Sequence, residues 1–128
     1  MTNVTREDRV EQFLACAKPP TFEVAWGTFT EELKELHEAA EVFHNVLPDV
    51  DVPQTTKARV RAEFVKEMAD VQYTLSQLAL FYNVDLEDAF NRVADSNMTK
   101  VLNGSVQYRE DGKILKGDNY VAPDMSGL

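Results

Sequence analysis

The sequence is poor in several residues that often carry function. It has one cysteine, Cys16, so an internal disulfide is impossible and no second thiol stands at zinc-ligand spacing. It has only two histidines, His37 and His44, and no Ser/His/Asp arrangement can be argued from them. Its few glycines form no phosphate-cradling loop. No apolar run approaches the roughly 20 residues that span a bilayer. The first thirty residues lack the basic start and apolar stretch of a secretory signal. These absences lead to the expectation of a cytoplasmic protein without a membrane segment. Positive charge is also scarce: 13 Lys and Arg face 22 Asp and Glu, a net −9. Such a surface repels nucleic acid, and the chain needs help to hold any phosphate.

Apolar residues are plentiful, at 44% of 128, enough for the core of one domain. Their spacing predicts four helices. The first runs from about Thr5 to Ala17, with Val10, Phe13, Leu14 and Ala17 on one face, and stops before Pro19-Pro20. Thr21 caps the second, which carries Phe22, Phe29, Leu33, Leu36, Ala40 and Phe43 and runs to about Val46. The third starts at Thr55 or Thr56 and continues to Tyr82, with Val60, Phe64, Val71, Leu75 and Leu78 as its stripe. Asp85 caps the fourth, which aligns Leu86, Phe90, Val93 and Val101. Beyond Asn103-Gly104 the pattern changes, and Asp111-Gly112 signals a tight turn within a short hairpin or extended arm. The expectation is an all-α four-helix bundle forming one domain over 1–128. Its helical core covers about 5–102 and its C-terminal arm about 103–128.

Two helices place acids beside their apolar stripes. Projected from Phe29 at about 100° per residue, Glu32 falls about 60° to one side, Glu35 about 120° and Glu31 about 160°. Projected from Phe64, Glu67 and Asp70 repeat the first two offsets. If the helices pack through their stripes, Glu32-x-x-Glu35 and Glu67-x-x-Asp70 line one cleft. Crowded carboxylates repel one another and lose hydration. A hard divalent cation, Mg²⁺ before Mn²⁺, removes that conflict and gives an acidic protein a handle on polyphosphate. A single E-x-x-E pair is ordinarily a solvated face, and geometry alone leaves both readings standing. Glu38, Glu41 and Glu63 read as surface charge.

Other residues are less telling. Glu41-x-x-His44 is half of a di-iron carboxylate motif that requires two such pairs. Asn97 falls on the expected stripe of the fourth helix, and a buried amide there needs a partner, either loop backbone or a ligand. Lys100 follows one turn later. Lys113 and Lys116 precede Gly117-Asp118-Asn119-Tyr120. Trp26, Phe22, Tyr73 and Tyr120 are able to stack on a base, although aromatics at helical spacing usually serve the core.

"EELKE" (Glu31 to Glu35), followed about thirty residues later by "EMAD" (Glu67 to Asp70), resembles the E-E-x-x-E … E-x-x-D signature of the all-α nucleoside triphosphate pyrophosphohydrolases. These are the MazG-like enzymes, related to phosphoribosyl-ATP pyrophosphohydrolase and the dimeric dUTPases. "SNMTK" (Ser96 to Lys100) and "DGKILKGDNYVAPDM" (Asp111 to Met125) are similar to C-terminal elements of a bacterial and phage MazG-like subgroup. The resemblance implies Mg²⁺-dependent cleavage of a (deoxy)nucleoside triphosphate between its α- and β-phosphates, giving a monophosphate and pyrophosphate. It implies Glu32, Glu35, Glu67 and Asp70 as metal ligands, with Glu31 as an outer ligand or the base that deprotonates water. It assigns Asn97 to orienting ligands or phosphate, Lys100 and Lys116 to phosphate, Lys100 with a catalytic part, and Tyr120 to closing over the nucleotide. It also implies a homodimer or a dimer of dimers. The rival readings are a phosphoribosyl-ATP pyrophosphohydrolase and a non-catalytic bundle that binds a nucleotide or a protein partner.

Overall fold

Three of the four helices begin at a side chain that accepts from a free backbone N–H, and the third in chain order begins after a proline. A computed structural model, describing residues 3–128, contains α1 (Arg6–Leu14), α2 (Phe22–Val46), α3 (Gln54–Phe81) and α4 (Leu86–Met98). The fold is all-α, with no strand among the described residues. Thr5 and Asp8 form a reciprocal box at the start of α1: the Asp8 N–H donates to Thr5 Oγ1 and the Thr5 N–H to the Asp8 carboxylate. The Val24 N–H donates to Thr21 Oγ1 at the head of α2, and the Asp88 N–H to Asp85 Oδ1 at the head of α4.

Boundaries shift from the sequence reading in three places. α1 ends at Leu14 rather than Ala17, because the chain tightens into a turn in which the Cys16 and Ala17 amides bond three residues back. α3 starts at Gln54, ahead of both threonines. Pro53 supplies a helix-compatible φ of −58° and lacks an N–H that would have gone unpaired anyway. α4 ends at Met98, so Val101 lies outside it.

Contacts group the chain into two compact units, Met1–Asn83 and Val84–Leu128. In the first, α3 is the shared element, packing against both α2 and α1. This explains why its covered positions do not form one stripe. Thr74, Ser76, Leu78 and Ala79 are buried, whereas Leu75, expected to face the core, is 40% exposed. α1 docks through the fully buried Val10 and through Ser76 Oγ, which donates to Glu7 Oε1 at 3.0 Å. α2 and α3 run antiparallel. Phe43 stacks on Phe64, Glu35 lies near Glu67, and Trp26 Nε1 donates to the Tyr82 hydroxyl, so positions climb on one helix as they fall on the other. Asn83 adopts a left-handed φ of 55° just after α3, a conformation asparagine tolerates better than most residues.

The second unit corrects the expected face of α4. Phe90 and Val93 are 65% and 39% exposed, and Asn97 is exposed too; the buried polar residue is Ser96. The reason is polar. Ser96 Oγ donates to the Val121 carbonyl, the Val121 N–H donates to Thr99 Oγ1, and Arg92 Nη1 donates to the carbonyls of Asp124 and Ser126. α4 therefore turns its Arg92–Ser96–Thr99 edge, not its apolar edge, to the C-terminal segment. The expected hairpin or extended arm carries isolated bridges, Leu102 with Ser105 and Tyr108 with Ile114. Gly112 supplies the φ of +87° that the Asp111-Gly112 turn demands.

Candidate metal centre

Glu32 and Glu35 are one turn apart on α2, and Glu67 faces them from α3. One carboxylate oxygen from each lies within 4.8 Å of the other two. Glu67 is 4% exposed. Oε2 of Glu32 and Oε2 of Glu67 are both buried without a hydrogen-bond partner. Unpartnered buried acceptors are costly, and like charges this close cost more. Burial of Glu32, followed by repulsion from Glu35, Asp70 and Glu67, pushes its carboxyl up to about 6. The donor set is all oxygen and anionic, as a hard divalent ion requires. Oxygens coordinated to Mg²⁺ sit about 2.1 Å from it, so ligands on opposite sides are about 4.2 Å apart. Adjacent oxygens of an octahedral shell are about 3 Å apart, so the three side chains, already within 4.8 Å of one another, would draw closer around such an ion, and their donor set fits it.

Asp70 is placed differently. It is close enough to raise Glu32, but its carboxylate is not one of the three that converge. It is held by Lys66, whose Nζ is 3.1 Å from Asp70 Oδ2 and 3.3 Å from Glu67 Oε1. The two acids in turn hold the Lys66 ammonium well above its ordinary range, the hydrogen bond it donates to Asp70 being the largest cause. Glu31 is exposed on α2, outside the cluster.

Beside the cluster, α2 and α3 part to form an open cleft of about 750 Å³. Glu35 and Glu67 reach its wall. Ala39, Val42 and Val60 give it an apolar floor, and Arg59 and Lys66 bring positive charge. Glu38 and Glu63, read as plain surface charge, also line it. Sequence reasoning missed Arg59 and Lys66. For Lys66 a signal existed: it directly precedes Glu67 and stands four residues before Asp70, within reach of both.

The remaining expected residues belong to the second unit. Lys100 and Lys116 are brought together over one ring, with their Nζ atoms 5.8 and 5.0 Å from the centroid of Tyr120. A cavity of about 60 Å³ opens between Lys100, Lys116, Thr99 and Asp118. Asn97 forms no side-chain hydrogen bond among the described residues.

A family model described as phosphoribosyl-ATP pyrophosphohydrolase matches residues 22–97, which include all of α2 and α3 and every acid of the cluster. A search of curated proteins finds no match.

Proposed function

The chain belongs to the phosphoribosyl-ATP pyrophosphohydrolase family, within the MazG-like all-α nucleoside triphosphate pyrophosphohydrolase superfamily, and from that premise we propose that it hydrolyses (deoxy)nucleoside triphosphates between the α- and β-phosphates, with Mg²⁺. Hydrolysis of a pyrophosphate bond follows from the family; the substrate, the bond and the ion are our reading. One observation carries it: three carboxylates converge, Glu32 and Glu67 each with a buried, unpartnered oxygen, and Glu35 and Glu67 reach the wall of a cleft of nucleotide size.

Glu32, Glu35 and Glu67 would hold the ion in this reading, with Asp70 as a further ligand beside them. Bound there, Mg²⁺ supplies neutralisation of phosphate charge and acidification of water. Glu31, exposed and adjacent to Glu32, accepts the proton of the attacking water. Lys66 and Arg59 give the cleft wall positive charge for phosphate oxygens. Lys100 and Lys116 take phosphate oxygens in the second unit. Tyr120, beneath those two ammonium groups, would offer a ring to a nucleotide, and Asn97 an exposed amide.

The same reading includes a homodimer. Leu33 on α2 and Val65, Met68 and Leu75 on α3 are 40–43% exposed, apolar positions that a second copy would cover. Light scattering then gives twice the chain mass of 14.5 kDa or a multiple of it; a strict monomer removes this part of the proposal. The catalytic part is tested with a panel of canonical and modified nucleotides. Phosphoribosyl-ATP, the substrate in the matched family's name, belongs in the same panel. Turnover of phosphoribosyl-ATP alone would replace the substrate assignment, and turnover of nothing would reject it.

A further inference from the structure

Lys66 contacts two acids that the proposed metal site also needs. Its ammonium lies 3.3 Å from Glu67 Oε1 and 3.1 Å from Asp70 Oδ2. Glu67 is nearly inaccessible, yet its other oxygen has no partner. Asp70 is left out of the converging trio, and its Oδ2 is paired with Lys66 instead. An ammonium and a divalent cation repel each other, and neither shares a carboxylate oxygen well at close range. Lys66 is also 61% exposed along its side chain and lines the cleft, so it has room to move without disturbing α3.

We infer that Lys66 is a built-in competitor for the metal, a positioning residue that caps Glu67 and Asp70 and swings into the cleft when a divalent cation takes them. The inference rests on the metal reading of the Glu32–Glu35–Glu67 cluster. Release does two things at once. It frees Asp70 to become the fourth ligand, and it leaves a positive charge on the cleft wall, where phosphate would lie. Metal and substrate binding are coupled through one side chain. A permanent structural ion pair would give neither effect.

The test is calorimetric titration of the whole chain with Mg²⁺ alone, comparing wild type, Lys66→Met and Lys57→Met. Lys57 lies nine residues earlier on α3, about 14 Å along the helix, and controls for net charge. Lys66→Met should bind Mg²⁺ about tenfold more tightly than wild type, with Lys57→Met unchanged. At saturating Mg²⁺, Lys66→Met should show a raised KM for nucleotide. A second measurement needs no variant: acylation of Lys66 in the wild type, followed by mass spectrometry, should speed up several-fold when Mg²⁺ is added. Equal or weaker Mg²⁺ affinity in Lys66→Met overturns the proposal, as does an equal gain in Lys57→Met or unchanged acylation. Those failures leave the metal site intact, whereas no Mg²⁺ binding by the wild type overturns both readings.

Discussion

The rings of Phe43 on α2 and Phe64 on α3 are stacked, with centroids 5.2 Å apart and planes 9° from parallel. Phe64 stands three residues before Glu67, and Phe43 eight after Glu35, so this contact sets the depth at which the acids of the two helices meet. Truncating Phe43→Ala removes the stack and opens a void at a half-buried position. The expected cost is about 2 kcal/mol of stability, with weaker metal affinity as the acids lose register. Chemical denaturation with and without Mg²⁺ measures both. An effect below a few tenths of a kcal/mol would show that the acids are positioned by something else.

Glu32→Gln separates stability from function. Metal-free protein should become more stable at pH 7 by about 1 kcal/mol, because a buried, repelled charge is removed; the figure is reduced for the partial exposure of the site. Hydrolysis should fall about a hundredfold or more, since a ligand is lost with it. Thermal melts and product assays give the two readouts. Lower stability with full activity would contradict both.

The pH dependence follows from the same carboxyl. Its folded value, about 6, is above the ordinary 4.5. The folded state therefore binds the Glu32 proton more tightly than the unfolded chain. The contribution to stability is fully present below pH 4.5 and is lost as pH rises towards 6. Metal binding runs the other way, because the ion displaces that proton. The stabilisation conferred by Mg²⁺ should be large at pH 7 and fade below pH 6. Melting curves at fixed Mg²⁺ across pH 4.5–8 test this, and Glu32→Gln should flatten the profile.

Gly27 offers a backbone test within α2. A methyl group at this position meets nothing within 4 Å. Gly27→Ala should stabilise the protein by about 0.5–1 kcal/mol through helix propensity alone. A loss of stability would mean that the residue needs its freedom.

In the second unit, the Val121 N–H donates to Thr99 Oγ1 at 2.9 Å, fixing the chain next to Tyr120. Thr99→Val keeps the shape and removes the acceptor. Exchange of the Val121 amide hydrogen should quicken about fivefold to tenfold. Unchanged exchange would mean that Ser96 and Arg92 hold the segment without it.

Much of this was legible in the sequence where local chemistry rules. Thr21 and Asp85 cap their helices, and the offsets of Glu32 and Glu67 from Phe29 and Phe64 put those acids on facing helix shoulders. Where a tertiary partner decided, the reading failed. Periodicity turned α4 towards Phe90 and Val93, because three apolar residues outweigh one serine in any such count. The hydrogen bonds of Ser96 and Arg92 to a segment some thirty residues away turned it elsewhere. Likewise, projection gave Asp70 the same standing as Glu35, since projection does not include the neighbouring Lys66.

The most direct measurement is phosphorus NMR of a nucleoside triphosphate incubated with the protein and Mg²⁺. Cleavage between the α- and β-phosphates predicts matched growth of a nucleoside monophosphate signal and a pyrophosphate signal, abolished by chelation of the metal. Orthophosphate with a nucleoside diphosphate, or a spectrum unchanged for every nucleotide of the panel, would contradict it.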